Sequence, residues 1–359
     1  MKTDFWYQKN IITFLLYPFS FIYRLIIFIR RTLFTFNVLK SYRVSAPVII
    51  VGNITVGGTG KTPLVIAIAN ALQEKGLRPG IILRGYRGKN KAWPVIVTKN
   101  SDPVQVGDEA VLLAKKTNAI VIAGPDRVLD AQFAIEKGCN VIVSDDGLQH
   151  YRLKRDVEIA VVDGDAKFGN GFCLPAGPLR EPVSRLKKVD FVVMNESMVS
   201  KLSKRQDVLE RSSRGPTGGW VLRVRARPGA QVLKPTLMQF VINAFVNVID
   251  HAKTTSIDDL KNKKIIALAA IGNPNRFFEC LRALGLTFKT RVFPDHYFFQ
   301  EKDLRCASDE VIVMTEKDAV KCAVIAHEKC WMACGEIIVD ESLIARCFAI
   351  INAYPTGGA

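Results

Sequence analysis

V-G-G-T-G-K-T, residues 56–62, stands directly after the apolar run Val48, Ile49, Ile50, Val51 and directly before a helix-like window over residues 64–72. A strand, a glycine-rich turn and a helix in that order make a phosphate cradle. Glycines let successive backbone N–H groups converge on a polyanion where side chains would block the approach. The helix that follows adds the positive end of its dipole. In the pattern G-x-x-x-x-G-K-[ST], Lys61 reaches the β- and γ-phosphates of a nucleoside triphosphate and the Thr62 hydroxyl serves Mg²⁺. The predicted cradle is Thr55, Gly57, Gly58, Thr59, Gly60, Lys61 and Thr62, with Thr55 where the pattern has Gly. Pro63 suits a first helical turn, where no N–H is needed.

Outward from the cradle, short β-branched runs at residues 48–51, 81–83, 120–122, 141–143, 159–162 and 191–194 alternate with helix-like windows. Such alternation predicts an α/β fold, a P-loop NTPase-like, mainly parallel sheet with helices on both faces. The run at 141–143 leads into Asp145 and Asp146, the form of a Walker B segment, whose carboxylates would hold Mg²⁺ opposite Lys61 and Thr62. Charge, Gly and Pro rise over residues 201–219, and 220–227 reads as an edge strand or hairpin. Residues 237–249 are apolar with a period that favours neither strand nor helix. A second, smaller α/β pattern follows, with strands at 265–269 and 311–314 and a helix at 277–284. The expected division is an N-terminal membrane-anchoring helix in residues 1–43, a P-loop core in 44–214, and a C-terminal α/β domain with a linker hairpin in 215–359.

The chain of 359 residues carries a net charge of +16. The excess is clustered, at Arg24, Arg30, Arg31, Lys40 and Arg43 and again at Arg84, Arg87, Lys89 and Lys91. Such stripes suit phosphate or anionic headgroups. Nucleic acid is not an expected partner, since zinc-finger spacing, an RRM-like aromatic signature and a helix-turn-helix are all missing from the sequence. The eight cysteines form no C-x-x-C pair, which points to a reduced, cytoplasmic setting. His327, Cys330 and Cys334 match no zinc spacing and read as ordinary thiols on a helix.

Residues 11–36 are dominated by Ile, Leu, Phe and Tyr, broken by Pro18, Arg24, Arg30 and Arg31. The apolar region runs past Arg24 and no A-x-A-like site closes it, so a cleaved signal peptide is not the expectation. Attachment to a membrane surface is the expectation, with spanning and interfacial arrangements both open. The basic excess follows the apolar run, so the positive-inside rule puts everything after Lys40 in the cytoplasm.

Asp108 and Glu109 follow Gly107 at the start of a helix-like window, where acids also stabilise the helix dipole. His296 is one of four histidines, and spacing alone does not bring it to Asp108. Two switch-like alternatives are disfavoured. A membrane-bound partitioning ATPase carries an additional Lys before the paired glycines, where Val56 stands. A GTPase carries N-K-x-D, whereas T-E-K-D at 315–318 has its Lys one place late.

Eight blocks in order carry a more specific resemblance: V-G-N-I-T-V-G-G-T-G-K-T-P (51–63), R-G-Y-R-G (84–88), V-G-D-E-A (106–110), D-D-G-L-Q-H (145–150), L-P-A-G-P-L-R-E-P (174–182), I-G-N-P-N-R-F (271–277), F-P-D-H-Y (293–297) and T-E-K-D-A-V-K (315–321). With the apolar N-terminus, they resemble the tetraacyldisaccharide 4'-kinases, whose loop is similar at Thr55. The likeness is weak over residues 201–259. It implies a membrane-associated enzyme that moves the γ-phosphate of ATP, with Mg²⁺, to the 4'-hydroxyl of a lipid disaccharide 1-phosphate, giving lipid IV-A for lipopolysaccharide. It implies the bacterial inner membrane, with catalytic domains on the cytoplasmic side, and leaves protein partners open. By that resemblance Asp108 is the base on the sugar hydroxyl and His296 its partner. Asp145, Asp146 and Glu181 join Thr62 around Mg²⁺, Arg180 contacts phosphate, and Arg84, Arg87 and Arg127 are candidates for substrate.

Overall fold

The apolar β-branched runs become strands buried on both faces, the position in which a parallel sheet places its central members. In the computed structural model, residues 4–86, 88–196 and 235–353 are described. Arg87, the 201–219 linker and the 220–227 strand therefore lie outside the described residues.

In the first half, β1 (Val48–Gly52), β2 (Pro79–Leu83), β3 (Val95–Val97), β4 (Ile120–Ala123), β5 (Val141–Asp145), β6 (Val157–Asp163) and β7 (Phe191–Asn195) alternate with helices. The helices are α1 (Ile11–Thr35), α2 (Lys61–Glu74), α3 (Pro103–Val106), α4 (Asp108–Lys116) and α5 (Arg127–Glu136). The second half contributes β8 (Thr236–Asn247), β9 (Thr254–Thr255), β10 (Lys264–Ala269), β11 (Phe288–Val292), β12 (Glu310–Thr315) and β13 (Cys330–Val339). Its helices are α6 (Ile257–Lys261), α7 (Pro274–Ala283), α8 (Glu316–Cys322) and α9 (Glu341–Asn352).

The described strands form one sheet, in the order β11-β10-β12-β13-β8-β7-β6-β1-β5-β2-β4-β3, with β9 on β8. Pairing is parallel except at β3–β4, β8–β9 and β8–β13. The undecided apolar run thus resolves as strand β8, which pairs in parallel with β7 and antiparallel with β13 and so joins the halves. Cys330 and Cys334 lie on β13, which corrects the reading of that segment as a helix: its periodicity is ambiguous until β8 pairs with it. No group of three or more His, Cys, Asp or Glu suited to a metal occurs among the described residues.

Ile49, Val51, Leu64, Ile68 and Val143 form a core on one face of the first half. Leu343, Cys347 and Ile351 of α9 belong to that same core, so the last helix packs back on the first half. The other face holds Ile50, Ile54, Ile82, Ile142 and Leu148. Helix α1 is long and apolar enough to cross a membrane, and most of its surface is exposed. One stripe of it docks: the buried Ser20 Oγ donates to Cys173 O (2.7 Å) and accepts from Ala176 N (2.9 Å), and Tyr23 Oη donates to Arg180 O (3.2 Å).

Candidate active site

The cradle is held from both sides by amides. Asn53 Nδ2 donates to Thr59 Oγ1 at 3.2 Å, and Asn195 Nδ2, at the end of β7, donates to Thr59 O at 2.9 Å. Gly60 caps α2 with φ +90°, a left-handed conformation that glycine adopts without strain. A Cβ there would also stand 2.2 Å from Asn195 Nδ2. Gly272, at the turn into α7, approaches so closely that its Cβ would lie 2.8 Å from Gly58 N. The second half thus meets the cradle backbone to backbone.

At the tip of β5, Thr62 Oγ1 donates to Asp145 Oδ2 at 2.9 Å, while the buried Asp145 Oδ1 has no hydrogen-bond partner. Burial first, and then the charge of Glu109, push Asp145 up to about 7 despite Lys61. Asp146 adopts φ +50°. Its carboxylate meets Lys61 Nζ at 3.5 Å and Arg180 Nη1 at 2.9 Å. Burial alone would raise Asp146, but these two cations outweigh it and bring it to about 2. Arg180 is delivered by main-chain lacing, its N–H donating to Ile54 O at 2.7 Å while Val56 N donates to Pro178 O at 2.8 Å.

Across the cleft, His296 Nδ1 lies 3.1 and 3.0 Å from the two Asp108 oxygens. Burial would raise Asp108, yet the bond to His296 and the charge of Lys317 hold it below the ordinary carboxylate range. An ionised Asp108 can only accept, so Nδ1 carries the proton. His296 lines a cleft of about 1070 Å³ together with the cradle, Asp145, Asp146, Arg84 and Arg180. Asp108, only 6% exposed, lines a hollow of about 40 Å³ behind it, which His296 and Tyr86 share.

A phosphate cradle with a carboxylate–imidazole pair on the facing wall is the arrangement of a phosphotransferase, and comparison with known proteins names the family. The tetraacyldisaccharide-1-P 4'-kinase family model matches residues 12–351. The chain belongs to this family. It is a kinase. A tetraacyldisaccharide 4'-kinase of Nitrosococcus oceani is 41% identical over 352 residues, 97% of this chain and 93% of that one. One from Coxiella burnetii is 40% identical over 350 residues, covering 97% and 94%. The crystal structure of the "apo" form of LpxK from Aquifex aeolicus in complex with ATP aligns with a TM-score of 0.72 and 29% identity, covering 94% of this chain and 99% of that one.

In the 4'-kinase the remaining expected residues divide. Glu181, an expected metal ligand, is 1% exposed and accepts from Gln149 Nε2 (2.8 Å) and Tyr151 Oη (2.6 Å). Arg31 and Arg185 add ion pairs at 3.6 and 3.5 Å. Burial and partners from α1, from the 149–151 turn and from Arg185 four residues on make it a strut beneath the cleft. Arg127 lines the cleft but is committed, with Nη1 donating to Gly124 O at 2.8 Å and pairing with Asp130. Arg84 also lines the cleft. His150, also on the wall, is held neutral, lowered to about 4 by burial and by Arg127.

Sequence reasoning missed Lys317. It stands in the quoted block T-E-K-D-A-V-K, where a lysine in the first turn of a helix reads as solvated, and nothing local tells that three carboxylates from two other segments reach it.

Proposed function

We propose that this 4'-kinase binds ATP in the Thr55–Thr62 cradle and transfers its γ-phosphate to the 4'-hydroxyl of a lipid A disaccharide 1-phosphate, forming lipid IV-A. The observation that carries the residue-level reading is the Asp108–His296 contact on the wall facing Lys61 and Asp146. A sugar hydroxyl has a very high pKa, and a positioned proton acceptor is worth roughly 10²–10⁴-fold in rate. The pair takes up that proton as a unit: Asp108, held ionised, is its anionic member and His296 its member on the cleft wall. Lys61 and the loop amides bind the β- and γ-phosphates and neutralise the charge spread over the transferring group. Arg180 orients Asp146 and adds a second positive charge beside it.

The donor set at the tip of β5 fits Mg²⁺. An unpartnered, buried Asp145 oxygen beside a second carboxylate and a hydroxyl is an oxygen-only set that wants a cation. Thr62, Asp145 and Asp146 would hold the ion, which when bound supplies charge neutralisation at the phosphates. Few protein ligands are needed, since Mg²⁺ keeps waters and takes substrate phosphate oxygens.

The acceptor carries acyl chains, and each CH₂ withdrawn from a bilayer costs about 0.8 kcal/mol, so the enzyme must work at the membrane surface. Helix α1 supports an interfacial arrangement over a spanning one, because Ser20 and Tyr23, midway along it, bond to the loop that carries Arg180. The catalytic part then lies on the cytoplasmic side, where ATP is. The division proposed is an anchoring helix in residues 1–43 and two segments, 44–214 and 215–359, whose described strands share one sheet.

The test is direct. Purified protein in detergent with ATP, Mg²⁺ and a tetraacylated disaccharide 1-phosphate yields a lipid heavier by one phosphate in a mass spectrum. ATP hydrolysis without a phosphorylated lipid contradicts the reading.

A further inference from the structure

Lys317 projects from the first turn of α8 in the second half, and its ammonium is the meeting point of three carboxylates. Nζ lies 3.0 Å from Glu109 Oε1, 3.5 Å from Asp295 Oδ1 and 3.9 Å from Asp108 Oδ2. Two of these acids open α4 in the first half, and the third precedes His296. The lysine side chain is only 16% exposed, so the contacts are poorly screened. Burial alone would lower Lys317, yet the surrounding carboxylates outweigh it and raise it.

The neighbouring Lys116–Glu316 ion pair and the Asp108–His296 contact span the same seam between α4 and the second half. Lys317 and His296 each touch both Asp108 and Asp295, and Lys317 adds Glu109 to the group. His296 itself sits at φ +58°, a backbone conformation that a histidine adopts only when its surroundings hold it.

We propose that Lys317 is a positioning residue of the phosphotransfer. Its ammonium gathers Asp108, Glu109 and Asp295, and in doing so fixes the Asp108–His296 pair in one geometry with Asp108 ionised. The inference rests on that pair being the proton acceptor. The charged groups facing Asp108 are Glu109 on its own helix, Asp295 and His296 from the 293–297 turn, and Lys317 and Lys321 from α8. Removal of Lys317 leaves three acids crowded around His296 with Lys321 as the remaining nearby cation on α8. The sign of the effect follows. Activity requires ionised Asp108 and is lost as pH falls through its pKa, so losing a favourable charge moves the acid limb to higher pH.

The experiment compares Lys317→Met, Lys317→Arg and Asp108→Asn in the full-length enzyme, with ATP affinity as the check that each is folded. Lys317→Met is expected to lower kcat by about 10- to 100-fold while ATP affinity changes less than about threefold, and to shift the acid limb of the kcat–pH profile upward by about one pH unit. Lys317→Arg, which keeps the charge, is expected to restore the limb and most of the turnover. If Lys317→Met turns over normally, or if both variants lose turnover equally with the limb unmoved, Lys317 is structural and the proposal is overturned. If Asp108→Asn remains active, the acceptor reading beneath it fails instead.

Discussion

The two walls of the cleft are built in opposite ways. The phosphate wall is a run of consecutive residues, 55–62, shaped by glycine backbone and two asparagine side chains. The acceptor wall has no local existence: Asp108 meets His296 across 188 residues, and Glu109 meets Lys317 across 208. Under the proposed function, nucleotide binding falls to a pre-formed element and the chemistry to the joining of the halves. Damage to either wall should therefore differ in kind.

The largest effect belongs to the phosphate wall. Lys61→Met is expected to reduce kcat/KM by at least about 10³-fold, about 4 kcal/mol of transition-state stabilisation, and to weaken ATP binding in an equilibrium titration. The acceptor wall should separate the two quantities. Asp108→Asn is expected to lower kcat by about 10²–10⁴-fold with ATP affinity within a few fold of wild type. Equal losses in both quantities for both variants would erase the distinction.

Asp145 sharpens the contrast from the side of stability. Its carboxyl is pushed up to about 7 in the folded chain, so ionising it opposes folding; that cost is absent below about pH 4, the unfolded value, and complete above about pH 7. Asp145→Asn is expected to raise the Tm of the ligand-free enzyme by several degrees at pH 8, with little change at pH 4, while abolishing transfer. A lower Tm at pH 8 would contradict the account of that carboxylate.

At the seam itself, Gly272→Ala puts a Cβ 2.8 Å from Gly58 N and should part the walls, lowering kcat by about tenfold with a small change in Tm. The smallest effect lies on α1. Ser20→Ala removes a buried hydroxyl that bridges Cys173 O and Ala176 N and should cost about 1–3 kcal/mol of stability, read by urea denaturation, without altering the nucleotide site.

The same contrast explains what the sequence conveyed. The cradle, the strand ending in Asp145 and Asp146, and the α/β alternation are local patterns, and each falls where its residues predict. Residues 237–249 were ambiguous because β8 is specified by partners on both sides rather than by its own period. Cys330 and Cys334 read as helical in isolation for the same reason. The motif that contains Glu181 does not show its surroundings, since Arg31 of α1 and Gln149 and Tyr151 of one turn reach it from elsewhere in the chain. The pairing of Asp108 with His296 came from family likeness, not spacing, and Lys317 had no local signal. The return of α9 to the first core was equally hidden, because its apolar face shows that it packs and not where.

The central claim is that Asp108 and His296 act as one unit formed when the halves meet. A double-mutant cycle on kcat with Asp108→Asn and His296→Ala tests it most directly. The account predicts strong non-additivity, with the double variant within about threefold of the worse single variant. Independent penalties that multiply in the double variant would contradict it.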